Sequence, residues 1–317
     1  MKPEPPRRLG GIVVAPTGWA WTLFACLALV GCLGSPAEQE EAPASRAYLD
    51  QNPPGLEPEV FAPGIISLPD RGEFASVFSA DGNELIFGVF EERAEIRATR
   101  RVGDTWTEPQ TIVSHEKHSF MDAALTPDGD RLFYISNQPL SGEGEPKDYD
   151  LWFSVRTGDG WGPPQHAGPV INSDGDDYYA SFSSEGTLYF TSGRSAAEGR
   201  ESDFDIHAAR WSDGAFLEPA RLGDAVNSRE YDGDVFVAPD ESYLIFSSGR
   251  TGGKGSGDLY VSFRTESGGW TEAKNMAGIN TESQDYCPFV TRDGRYLFFS
   301  SNRDIYWVDA SVIDTYR

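Results

Sequence analysis

The chain has 317 residues, with 26 Lys and Arg against 50 Asp and Glu and a formal net charge of −24. A balance this acidic excludes nucleic-acid binding as a first reading, because affinity for phosphate backbones comes from clustered Lys and Arg. The 34 Gly and 21 Pro beside 13% aromatic residues exclude a disordered chain and favour many short strands joined by turns.

In chain order, Lys2, Arg7 and Arg8 precede an apolar run from Trp19 to Val30. About a dozen apolar residues after a basic start read as a secretory signal, being too few to cross a bilayer core of roughly 30 Å. The run ends in Leu29-Val30-Gly31-Cys32, which resembles the lipobox of bacterial lipoprotein signal peptides. That resemblance implies removal of residues 1–31 and lipid attachment at Cys32; an ordinary secretory signal with Cys32 incidental is the alternative, and either way the body is exported. Leu33 rather than Asp after the cysteine points, by the same resemblance, to the outer membrane, with membrane contact through the N-terminal lipid only. Residues 32–58 are rich in Pro, Ala and acid without apolar periodicity, and read as a disordered tether. Cys287 is then the one cysteine left in the body, so a stable fold has to come from its own core rather than from a disulfide.

From residue 59 to 317 one unit recurs five times. Its turn acids are Asp81, Asp128, Glu185, Asp240 and Asp293, spaced 47 to 57 residues apart, which is a propeller-blade period. Each turn sits between two short apolar runs, and Asp-Gly there is a strong hairpin signal because both residues tolerate positive φ. A third run follows, as in Asp150-Leu-Trp-Phe, Asp205-Ile-His-Ala, Asp258-Leu-Tyr-Val and Asp304-Ile-Tyr-Trp. A fourth carries Pro after an aromatic, as in Trp106-Thr-Glu-Pro and Trp161-Gly-Pro-Pro; Pro belongs on an outer edge strand. The fifth unit lacks this strand, while an orphan of the same pattern, Val60-Phe-Ala-Pro-Gly-Ile-Ile66, precedes the first. The expectation is an all-β, five-bladed β-propeller of four-stranded antiparallel blades closed by the N-terminal strand, with six blades as the alternative.

These units, with Ser/Thr-Pro-Asp-Gly followed by an apolar-Phe-Ser-Ser-x-Arg pattern, resemble the bacterial PD40 or WD40-like repeats of TolB-type propellers over nearly all of residues 60–309. The resemblance implies a cell-envelope scaffold. It does not carry a partner across, because TolB-type proteins have an extra N-terminal domain and six blades.

Antiparallel order places the starts of the first strands and the connections between second and third strands on one face. Eight residues before each turn acid stand Glu73, Phe120, Asp177, Asp232 and Asp285; six before stand Ala75, Asp122, Tyr179, Asp234 and Cys287. Residues two apart share a side of a strand, so the carboxylates are expected to crowd the channel mouth. Glu73, Asp122, Asp177, Tyr179, Asp232, Asp234, Asp285 and Tyr286 are the candidate ligand or partner face, with Tyr178 and Tyr231 as further stacking surfaces. Strand caps are the plainer role for the acids. Asp177, Asp232, Asp234 and Asp285 are the candidate metal ligands, for calcium; no other cofactor is expected. The repeated Arg194, Arg250 and Arg303 are expected to pair with Asp205, Asp258 and Asp304. His115 and His118 have metal-like spacing but no predicted helix to present them, and Cys287 reads as a small buried residue. No nucleophile elbow, P-loop or His-Glu-x-x-His motif occurs. The function expected is a non-enzymatic, lipid-anchored binding scaffold for a protein or glycan partner. A carbohydrate-active hydrolase using the mouth carboxylates and a calcium-dependent binding module are the alternatives.

Overall fold

The computed structural model describes residues 48–158, 160–194 and 204–317. The signal peptide, Cys32 and most of the tether lie outside the described residues, as does the tip of the connection at 195–203.

Five antiparallel sheets form a five-bladed β-propeller. The innermost strands, called a, are Gly72–Phe78, Phe120–Leu125, Asp177–Phe182, Asp232–Val237 and Asp285–Val290. Strands b are Glu84–Phe90, Arg131–Ser136, Leu188–Ser192, Tyr243–Ser248 and Tyr296–Ser301; strands c are Ala94–Val102, Asp150–Thr157, Asp205–Ala209, Asp258–Phe263 and Asp304–Asp309. Short outer strands complete the blades, the longest being Gln110–Val113. In blade five the outer strand is Glu59–Val60, which pairs antiparallel with strand c through Glu59↔Trp307 and Val60↔Tyr306. The ring therefore closes with the N-terminal strand, as the orphan motif predicts.

The core lies between blades, where aromatic residues of strands b and c meet the next blade's strand a. At the closure Phe61 is fully buried, its ring 5.0 Å from Phe298 and 5.1 Å from Trp307 in edge-to-face contacts, the geometry the ring quadrupole favours. The packed body begins earlier than residue 59. Tyr48 and Leu49 are buried in the same cluster, and Tyr48 meets Phe78 and Tyr296 at 5.0 and 5.1 Å. A pattern of Pro and acid hid a single aromatic anchor, because one buried ring leaves no periodicity. Tyr48→Ala is expected to cost about 3 kcal/mol, read as a lower urea midpoint at unchanged slope.

One departure from ideal strands positions the site. Strand a of every blade carries a β-bulge where its register with strand b shifts. At the bulge stand Ala75, Asp122, Tyr179, Asp234 and Cys287, all with φ between 47° and 57°. Left-handed backbone costs a non-glycine residue on the order of 1 kcal/mol, so these turns are held by their surroundings. The Ala75 N–H donates to the Ser300 hydroxyl at 3.0 Å and the Asp234 N–H to the Thr191 hydroxyl at 2.9 Å, each from strand b of the preceding blade. The Ser and Thr residues that end the strand-b motif thus tie neighbouring blades at the bulge.

Candidate functional site

The bulge re-aims side chains, and it separates the two sets of acids that simple alternation puts together. Asp177, Asp232 and Asp285, all fully buried, turn to the connection that precedes their strand. Asp177 accepts from the Ser173 N–H at 2.6 Å and its hydroxyl at 3.0 Å. Asp232 accepts from the Ser228 N–H, from the Ser228 and Ser248 hydroxyls, both at 2.6 Å, and from Arg250 at 3.0 Å. Asp285 accepts from the Thr281 N–H at 2.7 Å and hydroxyl at 2.8 Å. Burial pushes all three carboxyls up, opposed by these donors. They act as caps. Glu73 is held likewise by Arg71 and by the Leu68 N–H at 3.3 Å.

Arg194 and Arg250 serve the same caps rather than the strand-c acids, while Arg303 lies against Gly72. Arg194 lies 3.5 Å from Asp177 and Arg250 lies 3.0 Å from Asp232. Asp205 instead takes Arg221 in a bidentate pair at 2.8 and 3.1 Å, and Asp258 accepts from the Lys254 and Gly255 N–H groups at 2.7 and 2.9 Å. The acid opening strand c faces the outer strand and its own entering loop, out of reach of the arginine that ends strand b.

A third member of this scaffold has a signal in the sequence that the acid count passes over. Asn172, Asn227 and Asn280 each follow Ile or Val, precede Ser or Thr, and stand five residues before a capping Asp. Each bridges both backbone groups of one strand-c residue. Asn227, for example, accepts from the Ile206 N–H at 2.8 Å and donates to the Ile206 carbonyl at 2.9 Å. Asn172 and Asn280 do the same for Leu151 and Leu259.

The bulge residues have a different environment. Asp122, Asp234 and Cys287 meet at one level of the channel beneath a cavity of about 420 Å³ that opens at the mouth. Phe74, Phe90, Met121 and Tyr286 wall it, and Arg303 stands at its exposed rim. Cys287 Sγ lies 3.7 Å from Asp122 Oδ1. The Asp234 carboxyl is engaged by Tyr231. That contact depends on Gly233: a Cβ there would stand 2.5 Å from the Tyr231 hydroxyl oxygen. Burial first, and then the negative charge of Asp234, push the Asp122 carboxyl well above the carboxylate range. Burial also raises Asp234, against the Tyr231 hydroxyl bond. Burial likewise pushes the Cys287 thiol up, which makes it an inert thiol rather than a nucleophile.

Tyr179 crosses the channel and its hydroxyl donates to the Pro288 carbonyl at 2.8 Å. It closes the top of a second cavity of about 370 Å³ on the Asp-Gly face, lined by Phe78, Phe182, Phe236 and Phe289. That face therefore holds a hollow as well as tight turns. Of the remaining aromatic candidates, Tyr286 lines the mouth, while Tyr178 is tied to Asp176 at 2.9 Å. His115 and His118 stack at 4.5 Å. Among the described residues no group of three or more His, Cys, Asp and Glu side chains could hold a metal ion.

No family model matches the chain, and no curated protein matches it. Solved structures do. TolB from Acinetobacter baumannii is 12% identical with a TM-score of 0.50, over 75% of this chain and 54% of that one. A protein of unknown function from Dyadobacter fermentans is 13% identical with a TM-score of 0.50, over 82% and 84% of the two chains. A gluconolactonase from Xanthomonas campestris is 16% identical with a TM-score of 0.46, over 73% and 70%. At these identities the likeness concerns the fold alone, and this chain is an all-β propeller whose neighbours among solved structures include TolB-type propellers.

Proposed function

We propose that this protein is a lipid-anchored envelope propeller that binds a protein or glycan partner at the mouth of its channel without catalysing a reaction. The observation that carries this reading is the mouth cavity itself, with carboxylates at its floor and aromatic walls, built on strained backbone that recurs in every blade. TolB-like neighbours support a binding scaffold in the cell envelope.

Catalytic carboxylates are held in place by donors on their outer oxygens, whereas among the described residues Asp122 has only a thiol at 3.7 Å. Calcium takes six or more oxygen ligands, and the capping acids Asp177, Asp232 and Asp285 are already committed to backbone and hydroxyl donors.

A photoreactive benzophenone amino acid tests the reading in cells. It would replace Phe90, 50% exposed at the mouth, or Val102, 65% exposed on the opposite side. A discrete adduct at position 90 and none at 102 is expected. An adduct at 102 alone, or none at either position, would overturn the proposal.

A further inference from the structure

We infer that the mouth cavity receives a protonated primary amine carried on an apolar body, with the ammonium seated between Asp122 and Asp234. This rests on the mouth being the binding site and names what enters it.

The argument starts from hydrogen-bond supply. Asp232, a capping acid two residues before Asp234 in the same strand, accepts from a backbone N–H, two hydroxyls and a guanidinium. The two channel acids have almost nothing comparable. Among the described residues Asp122 is approached by the Cys287 thiol at 3.7 Å, and the carboxyl of Asp234, 8% exposed, by the Tyr231 hydroxyl. Among the described residues no backbone N–H, guanidinium or ammonium reaches either carboxyl, and both line the cavity. A buried carboxylate such as that of Asp234, and a partly buried one such as that of Asp122, are costly to keep short of donors. A ligand that supplies donors and charge recovers that cost on binding, and an ammonium brings three N–H donors and no acceptor.

The rest of the lining discriminates among ligands. The walls are Phe74, Phe90, Met121 and Tyr286, surfaces that suit a hydrocarbon body and, through the ring faces, a cation. Among the described residues the lining holds no Asn, Gln, Ser, Thr or His, so a neutral polyol would find few donors beside the carboxylates to complement its hydroxyls. Charged neighbours do not cancel the floor. Glu73 is committed to Arg71, and Arg303 stands at the solvent-exposed rim against Gly72, where water screens it. Burial raises both floor carboxyls, so together they favour holding a proton, and a single positive charge is the match for what remains. A free amine and a lysine side chain of a partner share this chemistry.

The test is thermal unfolding of the full-length protein with phenethylamine, with phenethyl alcohol as its neutral isostere, and with Nα-acetyl-lysine methylamide. Phenethylamine in the millimolar range is expected to raise Tm by about 5 °C, and the alcohol by less than about 1 °C. Asp234→Asn is expected to abolish the difference. The comparison of amine with alcohol needs no variant, so it stands even where the variant folds poorly. A lysine derivative as effective as phenethylamine would support the amine reading with a protein as its source, and a weaker one would support it with a free amine. Equal shifts from amine and alcohol would overturn charge recognition while leaving the mouth as a binding site. No shift with either amine, beside a crosslink at position 90, would likewise overturn the amine and keep the binding site. Amine binding undiminished in folded Asp234→Asn would move it elsewhere.

Discussion

Asp232→Ala is expected to lower stability at pH 7 by about 3–5 kcal/mol, which for a body of this size moves Tm by on the order of 10 °C. The carboxylate is fully buried and accepts from the Ser228 N–H and hydroxyl, the Ser248 hydroxyl and Arg250. Its loss strands a guanidinium that is itself mostly buried, with side-chain exposure of 18%, and unpaired buried charge is what makes breaking such pairs expensive. Asp285 gives the control. It accepts from the Thr281 N–H and hydroxyl, and no guanidinium pairs with it among the described residues, so Asp285→Ala is expected to cost less, about 1–3 kcal/mol. Urea unfolding of both variants checks the order. Equal losses would mean that Arg250 contributes nothing through its partner.

The architecture was legible because it repeats. Asp-Gly turns at a blade period, aromatic runs on either side and an orphan strand before Gly72 leave little freedom once the ring has to close without open edges. The site was only half legible, for a reason that lies in one residue per blade. Counting by twos puts Asp232 and Asp234 on the same side of a strand, and in a regular strand that is correct. The bulge at Asp234 breaks the count: Asp232 becomes a cap facing Ser228 and Asp234 a lining residue facing the channel. Nothing in the identity of Asp234, or of Cys287 at the equivalent place, announces positive φ, because Gly is absent from all five bulges. At Ala75 and Asp234 the bulge N–H is taken up by a hydroxyl of the neighbouring blade, Ser300 and Thr191, a tertiary contact that local pattern cannot show. The Asn brackets were legible in principle. Their Ile/Val-Asn-Ser/Thr pattern recurs at fixed distance from the capping acids, and attention to carboxylates alone passed over it.

Asp122→Asn should behave oppositely to Asp232→Ala, and the contrast separates scaffold from site. Burial and the nearby charge of Asp234 raise the Asp122 carboxyl to about 8, whereas in the unfolded chain an Asp loses its proton near pH 4. Between those values the folded state holds a proton that the unfolded state has released. Stability therefore falls as pH rises through this window, the reverse of a salt-bridged carboxylate. Asparagine keeps the shape and cannot ionise. The variant is expected to match the parent near pH 5 and to exceed it at pH 8 by about 1–3 kcal/mol, a Tm gain of several degrees. Asp234→Asn should show the same sign with a smaller gain, since its carboxyl is raised less. A variant less stable than the parent at pH 8 would show that the Asp122 carboxyl is a structural partner there. A gain of that sign would mean that the two acids weaken the fold at neutral pH while lining the cavity, the combination expected of groups that serve binding rather than packing.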